Sequence, residues 1–149
     1  MNAGRRPFQA LTNLRMANTS ALQEAIQWVR DDLERQFGSV FAKSRVQLRT
    51  GGSRTFNAVA ADGLVVASVM NASGATSGGK KPVGKIRGAV AELYYLSLVD
   101  APHRLLVVTS SDFLKYLDRE MDGALAEGLQ IVHVKLPARL AQAVAEVRE

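Results

Sequence analysis

Apolar and polar residues along this chain repeat in two rhythms. Between Ser20 and Gly38, in SALQEAIQWVRDDLERQFG, Leu22, Ile26, Val29, Leu33 and Phe37 return every three or four positions and make one stripe, as a helix half-buried against a core requires. Ser20 with Gln23 forms a capping-box pair at its start, and Gly38 supplies a stop. The period then shortens to two. RVQLRT at 45–50 alternates polar with apolar residues, GGS turns the chain into RTFNAVAA, and Asp62-Gly63, the favoured pair for a two-residue hairpin turn, leads into LVVASVM.

Helical spacing comes back in KIRGAVAELYYLSLV, where Ile86, Val90, Leu93 and Ser97 recur with Ala89 and Leu96 beside them. RLLVVTS is a continuous apolar strand of the kind buried on both faces. Ser111 or Asp112 caps the next helix, FLKYLDREMDGALAEG, which Gly128 ends. LQIVHVKLP is a further strand, and Pro137 opens ARLAQAVAEVRE, a last helix with Leu140, Val144 and Val147 on its buried side. The order is helix, three strands, helix, strand, helix, strand, helix, without internal repeats. A meander followed by crossovers predicts an α/β fold with a mixed sheet between helical layers.

At 149 residues the chain is expected to be one domain, able to bury roughly 70% of its unfolded surface. The domain is expected over 20–149. Residues 1–19, with Arg5, Arg6 and Arg15, form either a basic arm or a short helix docked through Phe8, Leu11 and Leu14. No apolar run approaches the roughly 20 residues that span a bilayer, and the N-terminal stretch lacks the apolar centre of a secretory signal. A cytoplasmic protein with no membrane partner is therefore expected. The absence of cysteine excludes disulfides, thiol nucleophiles and cysteine-based zinc sites. His103 follows Pro102 in a loop and His133 lies in an apolar strand; both read as structural, which leaves no Ser-His-Asp set.

The net charge of +5 is unevenly spread. Up to Arg87 there are thirteen Lys and Arg against five Asp and Glu; from Gly88 onward there are six against nine. A basic front half suits a phosphate-bearing partner, because neutralising phosphates releases counterions.

The hairpin carries unusual polar choices. With the turn at Asp62-Gly63, position 61 faces 64, so Asn57 falls opposite Ser68, and Met70 shares the face of Ser68. One patch of Asn57, Ser68 and Met70 is expected. Here TGGSRTFNAVAADGLVVASVMNASGATSGGK resembles the PD-(D/E)xK, or restriction-endonuclease-like, nuclease superfamily, in which a helix precedes a three-strand meander carrying an acid and then an acid-x-Lys triplet. The resemblance extends over about residues 20–137 and implies a three-layer α/β/α fold. It places the first acid at Asn57, and the acid and lysine of the triplet at Ser68 and Met70. In the family these acids hold one or two magnesium ions that activate water, as the resemblance implies, and the lysine helps to orient the nucleophile.

The substituted residues cannot repeat that chemistry. Each lost carboxylate at ~4 Å from a dication, with an effective dielectric of ~20, removes roughly 8 kcal/mol of gross attraction before desolvation is set against it. Asn and Ser offer neutral oxygens, and Met offers neither proton nor charge. Asp62 is roughly 16 Å along the hairpin from Asn57, out of reach. Glu24 on the first helix and Glu92 on the helix after the glycine loop are the acids left to face the patch, with Mg2+ or Mn2+ needed only if they sustain residual cleavage.

GATSGGKK at 74–81 satisfies the G-x-x-x-x-G-K part of a P-loop, but Lys81 stands where a hydroxyl should meet magnesium, and Pro82 with Gly84 delays the helix. A nucleotide hydrolase is not expected. Lys80, Lys81, Lys85 and Arg87 crowd the loop and the helix start, placed to touch backbone phosphates; Arg54, with Arg45 and Arg49, extends the basic surface. Tyr94 and Tyr95 sit mid-helix among leucines, where at least one is expected in the core. The expected function is DNA or RNA binding by a pseudoenzyme without cleavage. The alternatives are a protein-interaction or regulatory module on the inactive fold, and a metal-dependent nuclease using Glu24 or Glu92.

Overall fold

The computed structural model describes residues 7–74 and 79–148. Nine elements follow in the expected order: α1 (Pro7–Phe37), β1 (Phe41–Gln47), β2 (Ser53–Ala60), β3 (Val65–Met70), α2 (Val83–Ser97), β4 (His103–Val108), α3 (Ser111–Glu120), β5 (Leu129–His133) and α4 (Ala138–Arg148). The five strands form one sheet in the order β1-β2-β3-β4-β5. β1 to β3 are antiparallel neighbours, as a meander requires, and β3, β4 and β5 are parallel, as the crossovers through α2 and α3 require.

The two sheet faces carry separate cores. Ala25, Val29 and Leu33 of α1 and Leu140 and Val144 of α4 cover one face, against Ala58, Ala67, Leu105 and Val107. Ile86, Ala89, Leu93 and Leu96 of α2, with Phe113 and Leu117 of α3, cover the other, against Phe56, Val66, Leu106 and Val108. The result is the three-layer α/β/α sandwich. β4 reads as an unbroken apolar run because its residues feed both cores in turn; Leu105 to Val108 are all buried. Among the described residues, no helix is long and apolar enough to cross a membrane.

Several boundaries differ from expectation, each for a local reason. α1 extends back to Pro7, so Ser20 lies inside a helix and does not cap it. Arg5 and Arg6 lie outside the described residues. β1 begins four residues before the expected start and is an edge strand in which only Phe41 is fully buried, so its apolar signal is faint. The hairpin closes with a four-residue loop, 61–64, rather than a two-residue turn; the N–H of Gly63 donates to the carbonyl of Ala60, and the Asp62 carboxylate accepts from the N–H of Leu64. α3 is capped by Ser110, whose hydroxyl accepts from the N–H of Phe113, one position before the residues expected. It ends at Glu120 rather than running to Gly128, because Gly123 (φ 72°) takes a left-handed backbone conformation that no helix continues through. Val90, expected on the buried stripe of α2, is exposed; Leu96 and Ala89 take that role with Ile86 and Leu93.

Candidate functional site

β2 contains the feature that rearranges the expected patch. Ala42 of β1 pairs with Val59 and Ser44 pairs with Phe56, so one β1 residue, Lys43, faces two of β2, Asn57 and Ala58. That extra residue is a β-bulge. Its effect on facing is direct: Phe56 and Val59 both join the α2/α3 core, whereas strict alternation would separate them, and Ala58 joins the α1/α4 core. The hairpin register of 58 with 67 and 59 with 66 agrees with expectation, but the regular pairing stops there. Asn57 consequently lines a groove with Gln23, Glu24, Gln27 and Arg30 of α1 and does not face the α2 layer.

Asn57 has a specific task where the β2–β3 ladder opens. Its Oδ1 accepts from the N–H of Val69 at 2.8 Å, and its Nδ2 donates to the carbonyl of Val69 at 3.3 Å. An amide side chain offers one acceptor and one donor together, as a backbone partner would; a carboxylate cannot donate. The displaced carbonyl of Asn57 accepts from Nε of Arg30 at 2.7 Å. Asn57 thus acts as a substitute ladder rung, and the expected gathering of Asn57 with Ser68 and Met70 does not occur.

Ser68 and Met70 do share the α2 side. Ser68 is only 6% exposed, and its hydroxyl donates to Oε2 of Glu92 at 3.1 Å. Oε1 of the same carboxylate accepts from Nη2 of Arg54 at 2.7 Å. The Arg54 guanidinium lies 3.9 Å from the ring centroid of Tyr95 and 5.9 Å from that of Phe56. Met70 packs into the adjoining core, its methyl 4.0 Å from where a side chain on Gly88 would begin. This cluster is balanced within itself: one carboxylate, one guanidinium, one hydroxyl. Tyr94 and Tyr95 are both exposed, at 55% and 36%, so neither occupies the core as expected.

Glu24 and Glu92 lie in opposite layers. Glu24 sits with Asn57 in the α1 groove and pairs with Arg139 of α4 at 3.6 Å, while Glu92 is engaged by Arg54 and Ser68. They do not converge on one position. Among the described residues, no group of three or more His, Asp or Glu side chains is placed to hold a metal ion together.

A second region was not anticipated from sequence. Where β3, β4 and β5 end, a cavity of about 570 Å³ opens between α3 and α4. Asn71 and Ser73 enter it after β3, Thr109, Ser110 and Ser111 after β4, and His133 and Lys135 at the end of β5. Leu136, Ala141 and Val144 form its apolar wall. Helices that follow parallel strands begin at this same edge, so the N-termini of α3 and α4 both open here and present the positive ends of their dipoles. No carboxylate is among the described residues that line it. His133, expected to be a satisfied structural residue, is exposed at this opening; His103 is exposed elsewhere, with its ring centroid 5.8 Å from that of Phe37.

The glycine loop leaves β3 at the same edge. Residues 75–78, the centre of the P-loop-like stretch, lie outside the described residues. Its ends are fixed in place. A Cβ on Gly74 would stand 2.9 Å from Cβ of Asp112 and 3.1 Å from its backbone carbonyl carbon, so only glycine permits the loop to lie this close to the first turn of α3. On the other side, Nζ of Lys85 donates to the carbonyl of Ser73 at 3.1 Å, and Lys81 pairs with Glu120 of α3 at 3.2 Å. Lys80 and Arg87 are exposed beside them. The sequence signal for this edge is present: β3 is followed at once by Asn71 and β4 by Thr109, while β5 ends in His133 with Lys135 two residues on. By its pattern alone Ser111 is a helix cap.

Comparison with known proteins gives no counterpart: no family model matches the chain, nor does any curated protein or solved structure.

Proposed function

We propose that this chain is a restriction-endonuclease-type domain, working in the cytoplasm, that holds nucleic acid by its phosphates and does not cut it. The observation that carries the reading is the asymmetry of the sheet's carboxyl edge. Its cations are gathered on one side: Lys80 and Lys81 lie where the loop is packed onto α3 and the start of α2, with Lys85 and Arg87 beside them. Phosphates need positive charge and N–H or O–H donors, and this edge supplies both. The acids that a cutting centre would require are committed elsewhere: Glu92 to Arg54 and Ser68, Glu24 to Arg139 on the opposite layer. Ser68 and Met70 offer no replacement charge for a divalent ion.

Retention of unphosphorylated duplex DNA and of RNA, measured across a salt series, tests this directly. Binding is expected to weaken with salt, and Lys80→Ala/Lys81→Ala/Lys85→Ala is expected to lower both affinity and the logarithmic salt slope, by about 0.9 for each duplex phosphate that is no longer neutralised. Plasmid is expected to stay intact with Mg2+ or Mn2+. Nicking with Mn2+ that disappears in Glu92→Ala or Glu24→Ala would instead establish a working nuclease.

One observation favours a second reading, a protein-interaction module. Val83, Val90 and Tyr94 are exposed along one side of α2, at positions separated by seven and four residues, and form an apolar stripe on a surface helix. Retention indifferent to salt and to the three lysines would move the balance to this reading.

A further inference from the structure

We propose that the cavity at the carboxyl ends of β3, β4 and β5 is a binding site for a phosphate monoester, either free as a mononucleotide or at the end of a nucleic-acid strand. Three independent features meet there. The first is an amide donor at the cavity. Asn71 is 7% exposed and lines the cavity; its Oδ1 accepts from Oγ1 of Thr109 at 2.9 Å, and its amide nitrogen has no hydrogen-bond partner among the described residues. Nδ2 of Asn71 is not among the described side-chain atoms buried without a partner, which are Nε of Arg54 and Nε of Arg104, so this N–H2 is open to an acceptor that enters the cavity. The second is the sign of the lining. Ser111, His133 and Lys135 bring two hydroxyl- or nitrogen-based donors and one fixed cation, and no acid is among the described residues that line the cavity with them. Asp112, the acid nearest in sequence, sits in the first turn of α3 but lines a different depression, with Gly74, Lys115, Tyr116 and Arg119. The third is the pair of helix N-termini, α3 and α4, whose first residues Ser111 and Ala138 line the same space.

A phosphodiester presents one charge on two free oxygens, whereas a monoester carries up to two charges on three oxygens and is the better match for a set of donors converging from several directions. The volume accommodates more than a bare phosphate. The apolar wall of Leu136, Ala141 and Val144 gives a sugar or base a surface to lie against, as small-ligand cavities generally do. Crevices beyond the carboxyl ends of parallel strands are where open α/β sheets bind such ligands. This site is separate from duplex binding by the lysine loop, and either can fail without the other.

Titration of the full chain with inorganic phosphate, adenosine 5′-monophosphate and adenosine, and with one oligonucleotide bearing either a 5′-phosphate or a 5′-hydroxyl, tests the assignment. The monophosphate is expected to bind at least about tenfold more tightly than adenosine, with inorganic phosphate competing. A preference for the phosphorylated oligonucleotide identifies a strand end as the source; a preference confined to the mononucleotide identifies a free ligand. Both substituted residues of Ser111→Ala/Lys135→Ala are exposed, so folding is expected to be retained while the preference falls about tenfold or more. Retention of unphosphorylated duplex, measured on the same variant, is expected to be unchanged and so reports separately on the lysine loop. Equal binding of phosphorylated and unphosphorylated partners overturns the proposal, as does a preference that survives the double substitution.

Discussion

Two polar clusters flank β3, and they differ in what they leave unmatched. Beside Ser68, every charge has its counter-charge: Arg54 meets Glu92 at 2.7 Å, and the serine hydroxyl takes the other carboxylate oxygen. A few residues further along the chain, Asn71 brings an amide nitrogen without a partner among the described residues to a cavity whose other polar lining is mostly donors. The first arrangement is closed in charge, with Nε of Arg54 alone left buried without a partner, and it holds β2, β3 and α2 together. The second is open and suits an anionic guest. Polar residues in a sheet therefore report on function through the donors they leave open to a cavity more than through their presence. The residues that attracted notice in the sequence, Asn57 and Ser68, prove to be among the best satisfied.

Substitutions that disturb the closed cluster should cost stability, and those at the open one should cost binding. The largest effect is expected at Phe56, which the bulge turns into the α2/α3 core beneath Arg54. Phe56→Ala is expected to destabilise by about 3–5 kcal/mol in denaturant unfolding; a change below ~1 kcal/mol would mean that the strand lacks the bulge. Glu92→Ala strands the Arg54 guanidinium, whose Nε is already buried without a partner, and should cost about 2 kcal/mol. The pair is roughly one-third exposed, which keeps the figure well below that of a fully buried ion pair. Arg54→Met/Glu92→Leu is expected to recover most of that stability, since it removes both charges together.

Asn57→Asp comes next, at about 1–2 kcal/mol, because a carboxylate keeps the bond from the N–H of Val69 but faces the carbonyl of Val69 with no proton to give. An unchanged midpoint in that variant would dismiss the substitute-rung role. Tyr94→Ser, on the exposed side of α2, should fall within ~0.5 kcal/mol of the parent.

Much of the fold was legible because periodicity carries it. The stripe of Val29 and Leu33, the β-rich hairpin and the apolar run of β4 each follow from one spacing rule, and their order implies the crossovers and the layers. The extent of α1 and the early end of α3 were less visible, since helices continue past weak stripes and stop where one glycine adopts a positive φ. The candidate patch failed at a single residue. Counting outward from the turn gives the right register up to Ala58, and an extra residue in β2 then rotates Asn57 away from Ser68. A bulge leaves no mark in the hydrophobic pattern until its partner strand is known. The cavity is hidden in the sequence for a different reason: its donors come from three strand ends separated by long stretches of chain, and only the parallel sheet brings them together.

The contrast between the closed and the open cluster is tested most directly by following backbone and side-chain amide resonances during a titration with inorganic phosphate. The Asn71 side-chain amide and the backbone amides of Ser110 and Ser111 are expected to shift in a saturable way, while Ser68 and Glu92 stay in place. Shifts of equal size at both clusters, or none at Asn71, would contradict the account.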